Sequence, residues 1–153
     1  MKRTVYENEA TLSREREFAD MLAGRVDMGL QKLPRQYRVD FAMVDKKSGE
    51  VYCWLETKCR TGRSFKHFML SLSKWQAGIR LSQETGKPFL IGFRWKDGDY
   101  ILQVNKDYIP LLLVGGRDDR DDPEDIEPVV QIPKKMFHLI KPEPKQEEKK
   151  NHE

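Results

Sequence analysis

Asp40, Glu56 and Lys58 are the residues of this 153-residue chain whose types and spacing combine into a reactive site. Asp40 lies in the segment Gln36–Val44 and Glu56 in Val51–Cys59, both rich in aromatic and β-branched residues. Between them Asp45-Lys46-Lys47-Ser48-Gly49-Glu50 has the composition of a turn. The pattern predicts a β-hairpin. Its loop centres near Ser48, from which positions 40 and 56 are equidistant, so a symmetric register sets Asp40 opposite Glu56. Cross-strand partners have Cβ atoms about 4.5–5.5 Å apart, and like charges so placed repel. A divalent cation shared by the two carboxylates would justify the pairing, since hard cations take oxygen ligands and Mg²⁺ needs few carboxylates from the protein. Lys58, two residues beyond Glu56, falls on the same face of a pleated strand. The three side chains can gather a metal, a water and a phosphate. The metal would acidify the water and neutralise phosphate oxygens, while the ammonium orients the nucleophile or meets charge developing at phosphorus.

The elements around the hairpin decide whether these groups meet. Residues 10–24 predict an amphipathic helix, with Leu12, Phe18, Ala19 and Leu22 on one stripe and Gly24 as its stop. Glu15 lies three, four and seven residues before Phe18, Ala19 and Leu22, on the same apolar stripe, whereas Glu17 is off it. A carboxylate facing the core is costly unless paired or coordinating, so Glu15 is expected to approach the site and Glu17 to face solvent. Residues 25–35 carry no clear pattern. A second helix is expected over Leu72–Thr85, with a serine near its start, Gly86 at its end and Pro88 just beyond. Phe89–Trp95 and Tyr100–Val104 read as short strands around the turn Lys96–Asp99. From Gly115 the chain becomes charge-dense, and Asp118–Glu127 predicts an exposed acidic loop. Val129–Ile140 predicts a further strand or short helix, and Pro142–Glu153 a disordered tail. The expected organisation is a domain over 1–114, an acidic loop and C-terminal extension over 115–141, and the tail over 142–153.

Composition narrows the partners. The net charge of +3 hides an asymmetry: residues 1–96 hold 19 Lys/Arg against 11 Asp/Glu, and residues 97–153 hold 9 against 14. The basic part suits a polyanionic partner. Cys53 and Cys59 lack the spacing of a zinc or disulfide framework. His67, His138 and His152 show no ligand spacing either. No apolar run approaches the ~20 residues that span a bilayer, and the first residues lack the apolar segment of a secretory signal. A cytoplasmic protein with no membrane partner is therefore expected.

Asp40, fifteen intervening residues, then Glu56-Thr57-Lys58 resembles the D-(x)n-E-x-K core of the PD-(D/E)XK, or restriction-endonuclease-like, nucleases. The element order is similar to their α/β (α+β) fold, αβββαβ with a mixed central sheet flanked by helices. The Glu15-Arg16 pair followed by Phe18-Ala19 and Leu22 resembles the first-helix segment of archaeal and phage-type Holliday-junction resolvases. Lys74-Trp75-Gln76 resembles the polar position that follows the E-x-K strand in this superfamily. The resemblance spans about residues 10–104 and departs at Val39, which stands where the motif's proline would be. It implies Mg²⁺-dependent hydrolysis of DNA, with Mn²⁺ able to substitute, Asp40 and Glu56 as metal ligands, Lys58 at the nucleophile, and Glu15 and Gln76 in support. The resolvase resemblance also implies a homodimer and admits structure-selective cutting of branched DNA, with flaps, nicked duplex and single strands left open as substrates.

Arg60, Arg63, Lys66, Lys74 and Arg80 follow the site closely and are candidate DNA-phosphate contacts. Trp54 shares the parity of Glu56; it, Trp75 and Ile79 are expected in the core. Two rival readings stay open from the sequence: a non-catalytic DNA-binding module with the same fold, and an assembly protein that docks through the acidic loop.

Overall fold

The computed structural model describes residues 9–60, 66–116 and 126–142. The first helix, α1, spans Glu9–Arg25 and buries Phe18, Ala19, Leu22 and Ala23. Leu12, expected on that stripe, is instead 38% exposed. Gly24 does not stop the helix. The chain reverses three residues later, where Asp27 adopts φ 54°. The Asp27 N–H donates to the Gly24 carbonyl and the Met28 N–H to the Ala23 carbonyl, the paired bonds of a Schellman end.

The next strand, β1 (Gly29–Lys32), occupies the segment in which the sequence showed no pattern. Pro34 then starts a single 3-10 turn over Arg35–Tyr37, and Arg38 follows with φ 57°. The strand expected from Gln36 therefore begins only at Phe41, as β2 (Phe41–Val44). Val51–Cys59 forms β3 as expected. Asp45 builds the intervening turn: its Oδ1 accepts hydrogen bonds from the N–H groups of Lys47 at 2.9 Å and Ser48 at 2.8 Å. Phe41 pairs with Leu55, Ala42 with Trp54 and Met43 with Cys53. A bulge between Met43 and Val44 leaves this register intact at the far end of the hairpin.

After β3 comes β4 (His67–Ser71), unforeseen in the sequence, then α2 (Leu72–Thr85). Ser71 caps α2, its side chain accepting from the Lys74 N–H, and Gly86 closes it at φ 69°, a conformation that costs glycine nothing. β5 (Phe89–Trp95) and β6 (Gly98–Gln103) form the second hairpin. β7 (Leu111–Gly116) and β8 (Ile126–Pro133) flank a segment outside the described residues. A second 3-10 turn, Lys134–Met136, leads to β9 (His138–Ile140), so Val129–Ile140 divides between two strands. The expected tail lies almost wholly outside the described residues.

The main sheet has the order β1-β2-β3-β5-β6-β9, and a smaller one the order β4-β8-β7. β3 and β5 run parallel and the remaining neighbours in the main sheet antiparallel, so the sheet is mixed, as expected for the αβββαβ order. One of its faces carries Phe41, Met43, Cys53 and Leu55 against α1. The other carries Ala42, Trp54, Phe89, Ile91 and Phe93, packed with Trp75 of α2 and with Phe68, Leu70, Val130 and Ile132 of the small sheet. Trp54 and Trp75 are thus core residues, and the Trp54 indole N–H donates to Thr85 Oγ1 at 3.0 Å. Close approaches lock both layers. A Cβ on Gly78 of α2 would lie 2.2 Å from Phe89 Cε2, and one on Gly92 of β5 would lie 2.8 Å from Leu22 Cδ1. No helix among the described residues is long and apolar enough to cross a membrane.

Candidate active site

Register and pleat bring the acidic pair together. Continuing the pairing of Phe41 with Leu55 by one residue sets Asp40, just before β2, opposite Glu56. Both share the parity of Ala42 and Trp54, so they face α2 rather than α1. Each carboxylate is fixed by the other's strand: the Asp40 N–H donates to Glu56 Oε2 at 3.2 Å, and the Thr57 N–H donates to Asp40 Oδ2 at 3.3 Å. Glu56 is wholly buried, and the Asp40 side chain is only 13% exposed. Burial is the larger influence raising the Glu56 pKa above the ordinary glutamate value, and the Asp40 charge adds to it; Lys74 and Lys58 oppose the rise.

Lysines crowd the pair. Lys74 Nζ lies 2.7 Å from Glu56 Oε1 and 3.9 Å from Asp40 Oδ1. Burial opposes its charge, but Glu56 and Asp40 outweigh that and hold the amine above the usual lysine value. Lys32, on β1, reaches the same Asp40 Oδ1 at 3.9 Å. Lys58 shares the face of Glu56, yet its amine donates to the Met69 carbonyl at 3.4 Å and stands 5.9 Å from the Phe68 ring centre. Burial, and then the like charges of Arg60 and Lys74, pull its pKa down to about 8, while Glu56 and Glu15 resist. β4 thus supplies the wall that holds this lysine.

Glu15 is half-buried on the stripe of Phe18, Ala19 and Leu22, and Glu17 is exposed. Although α1 covers the opposite face of β3, Glu15 is near enough for its charge to act on both Lys58 and Lys74.

Gln76 requires a correction. It is exposed and shares a shallow outer surface with Ile79, Arg80 and Gln83, the residues three, four and seven positions on. The helical period turns it about 200° from Lys74. Lys74, expected on DNA, is the α2 residue that touches the carboxylates. Its i+4 and i+7 neighbours, Gly78 and Leu81, were the signal in the sequence: a small and an apolar residue on the same stripe mark the face that meets the sheet. The part of Lys32 also went unforeseen, because β1 was not recognised. Arg80 sits on the outer face as well, paired with Glu84 at 3.0 Å. Arg60 and Lys66 are exposed on either side of the segment 61–65, and Arg63 lies outside the described residues.

Among the described residues no group of three or more His, Cys, Asp or Glu side chains assembles. A cation held by Asp40 and Glu56 would therefore complete its shell with water or backbone oxygen, a mode of binding habitual for Mg²⁺. The pair fits such an ion: two carboxylates face one another in a nearly dry site, and an ammonium already lies between them.

The profile of a family described as phage putative PDDEXK endonuclease matches residues 1–140. No curated protein matches the chain. Among solved structures, the fold is similar to that of Hjc from Archaeoglobus fulgidus, a Holliday junction resolvase from an archaeal hyperthermophile. That likeness has a TM-score of 0.52 and 8% sequence identity, and covers 84% of this chain and 90% of the other.

Proposed function

The chain belongs to the phage putative PDDEXK endonuclease family, and from that premise we propose that it hydrolyses DNA phosphodiester bonds with a divalent cation, Mg²⁺ by preference, held between Asp40 and Glu56. The observation that carries the proposal is the buried, cross-strand carboxylate pair with Lys58 on the same face. Two anions set against each other are destabilising unless cations offset them; Lys74 brings one positive charge against the two, and the fold fixes the pair at the end of a hairpin register.

Bound there, the metal would supply an acidified water and neutralise charge on a phosphate oxygen. The chain's own groups do the rest. Asp40 and Glu56 fix the site through their backbone bonds. The Lys58 amine, which rests on the Met69 carbonyl, would turn from it to the reacting phosphate and stabilise charge as it develops. Glu15 biases the charge balance of Lys58 and Lys74. Arg60, Arg63 and Lys66 line the chain beyond β3 and serve as phosphate contacts. The likeness to a resolvase fold supports branched DNA as the preferred substrate and a homodimer as the active form.

The test is cleavage of a panel of branched, nicked and linear DNAs in Mg²⁺ and in Mn²⁺, with chelator and Asp40→Asn as controls. Metal-dependent cutting abolished by Asp40→Asn is the expected result. DNA binding without cutting under any metal would instead establish a non-catalytic binding module.

A further inference from the structure

Three lysines surround the acidic pair, and they are not equivalent. Lys32 stays 3.9 Å from Asp40 with half of its side chain in solvent. Lys58 spends its amine on a backbone carbonyl. Lys74 alone among the described residues makes a hydrogen-bonded ion pair with Glu56, at 2.7 Å, and it lies within 4.0 Å of an oxygen from each carboxylate. A cation bridging Asp40 and Glu56 needs the same oxygens and the same space. An ammonium and a divalent ion cannot share so small a volume, since their like charges repel strongly where water is excluded.

We infer that Lys74 is the site's internal counter-cation: its ammonium holds the Asp40–Glu56 pair in the metal-free protein and must leave Glu56 Oε1 when a divalent ion enters. This rests on the reading of Asp40 and Glu56 as metal ligands. Its basis is geometric. Glu56 is wholly buried, so without Lys74 its charge would have, among the described residues, no near cation in the metal-free state except Lys58, which is turned away to Met69. Gly78 seats α2 against Phe89 and so brings Lys74, one turn earlier on the same stripe, down to Glu56. The exchange needs no movement of the main chain. Lys74 has a flexible four-carbon stem and a side chain that is 31% exposed, so its amine can swing towards solvent. Lys74 thereby sets the metal affinity of the site from within.

The experiment is calorimetric titration of the full chain with Mn²⁺ in the absence of DNA, on the parent protein, Lys74→Met, Lys74→Gln and Lys74→Arg. Metal-free thermal denaturation is measured alongside. Removing the charge should tighten Mn²⁺ binding by about tenfold or more and lower the metal-free melting temperature; Lys74→Arg, which keeps a cation, should stay near the parent in affinity. A merely structural lysine would give the opposite sign, because damage to the site weakens metal binding. If Lys74→Met does not fold, Lys74→Gln still removes the charge while retaining a hydrogen-bond donor to Glu56. Parent protein that binds Mn²⁺ no more weakly than Lys74→Met and Lys74→Gln overturns the inference and leaves the metal reading standing. Absence of Mn²⁺ binding in every variant, with Asp40→Asn indistinguishable from the parent, overturns both.

Discussion

Gly78→Ala tests how tightly the position of α2 controls the site. A Cβ at this position would meet Phe89 Cε2, Cζ and Cδ2 at 2.2, 2.3 and 2.5 Å. Carbon atoms rest at about 3.5–4.0 Å, so the helix or the ring must move by more than ~1 Å. Phe89 is wholly buried, which makes displacement of the helix the easier response. Alanine gains about 1 kcal/mol of helix propensity over glycine, but overpacking of a core contact costs about 1–3 kcal/mol. The net expectation is a loss of up to ~2 kcal/mol, which corresponds to at most roughly 4–8 °C in melting temperature for a chain of this size. Lifting α2 by about 1 Å would also stretch the 2.7 Å contact of Lys74 with Glu56 beyond hydrogen-bond range. Gly24→Ala is the matched control: it too lies within a helix, and its Cβ would meet nothing within 4 Å. It should stabilise the protein by about 0.5–1 kcal/mol. Thermal denaturation of both variants is the assay. Equal rises in melting temperature for Gly78→Ala and Gly24→Ala would refute the packing argument.

Three further outcomes follow from the geometry. Lys58→Ala should retain metal affinity yet cut DNA about 10²–10³-fold more slowly, as expected when a group aimed at developing charge is lost; Asp40→Asn should lose binding and cleavage together, and single-turnover kinetics beside calorimetry separates the two. Gln76→Ala should leave metal affinity within error of the parent, because the residue stands on the outer face of α2; a marked loss in a Mn²⁺ titration would show that the helix phase is wrong. Burial raises the Cys53 thiol to about 11, so thiolate is scarce at pH 8 and native alkylation by iodoacetamide should be slow. Reaction should become fast on unfolding, and rapid labelling of Cys53 in the native protein, read by mass spectrometry, would contradict its burial.

The hairpin was legible because its signals are local and agree. The segments are rich in aromatic and β-branched residues, Asp45 and Ser48 are turn formers, and the symmetric register they imply survives the bulge at Met43 and Val44. The ends of α2 were legible for the same reason, in Ser71, Gly86 and Pro88. β1 was not, because a four-residue edge strand, Gly-Leu-Gln-Lys, carries almost no periodicity of its own and exists by pairing with β2. β4 and β7 likewise owe their form to β8, remote in sequence. The site divides along the same line. Asp40, Glu56 and Lys58 follow from parity within one hairpin, while the placing of Lys74 above Gln76 depends on which face of α2 meets the sheet, and that is fixed by the contact between Gly78 and Phe89.

The pairing of β4 with β8 also bears on when the protein becomes competent during its own synthesis. Met69, whose carbonyl receives the Lys58 amine, belongs to a strand that pairs with Gln131 and its neighbours, far down the chain. The hairpin bearing Asp40 and Glu56 pairs residues close together in sequence. The wall that positions Lys58 must wait for residues 126–133, and such long-range strand pairing is the slow part of folding. The surroundings of Lys58 are therefore complete only once the C-terminal strands have arrived.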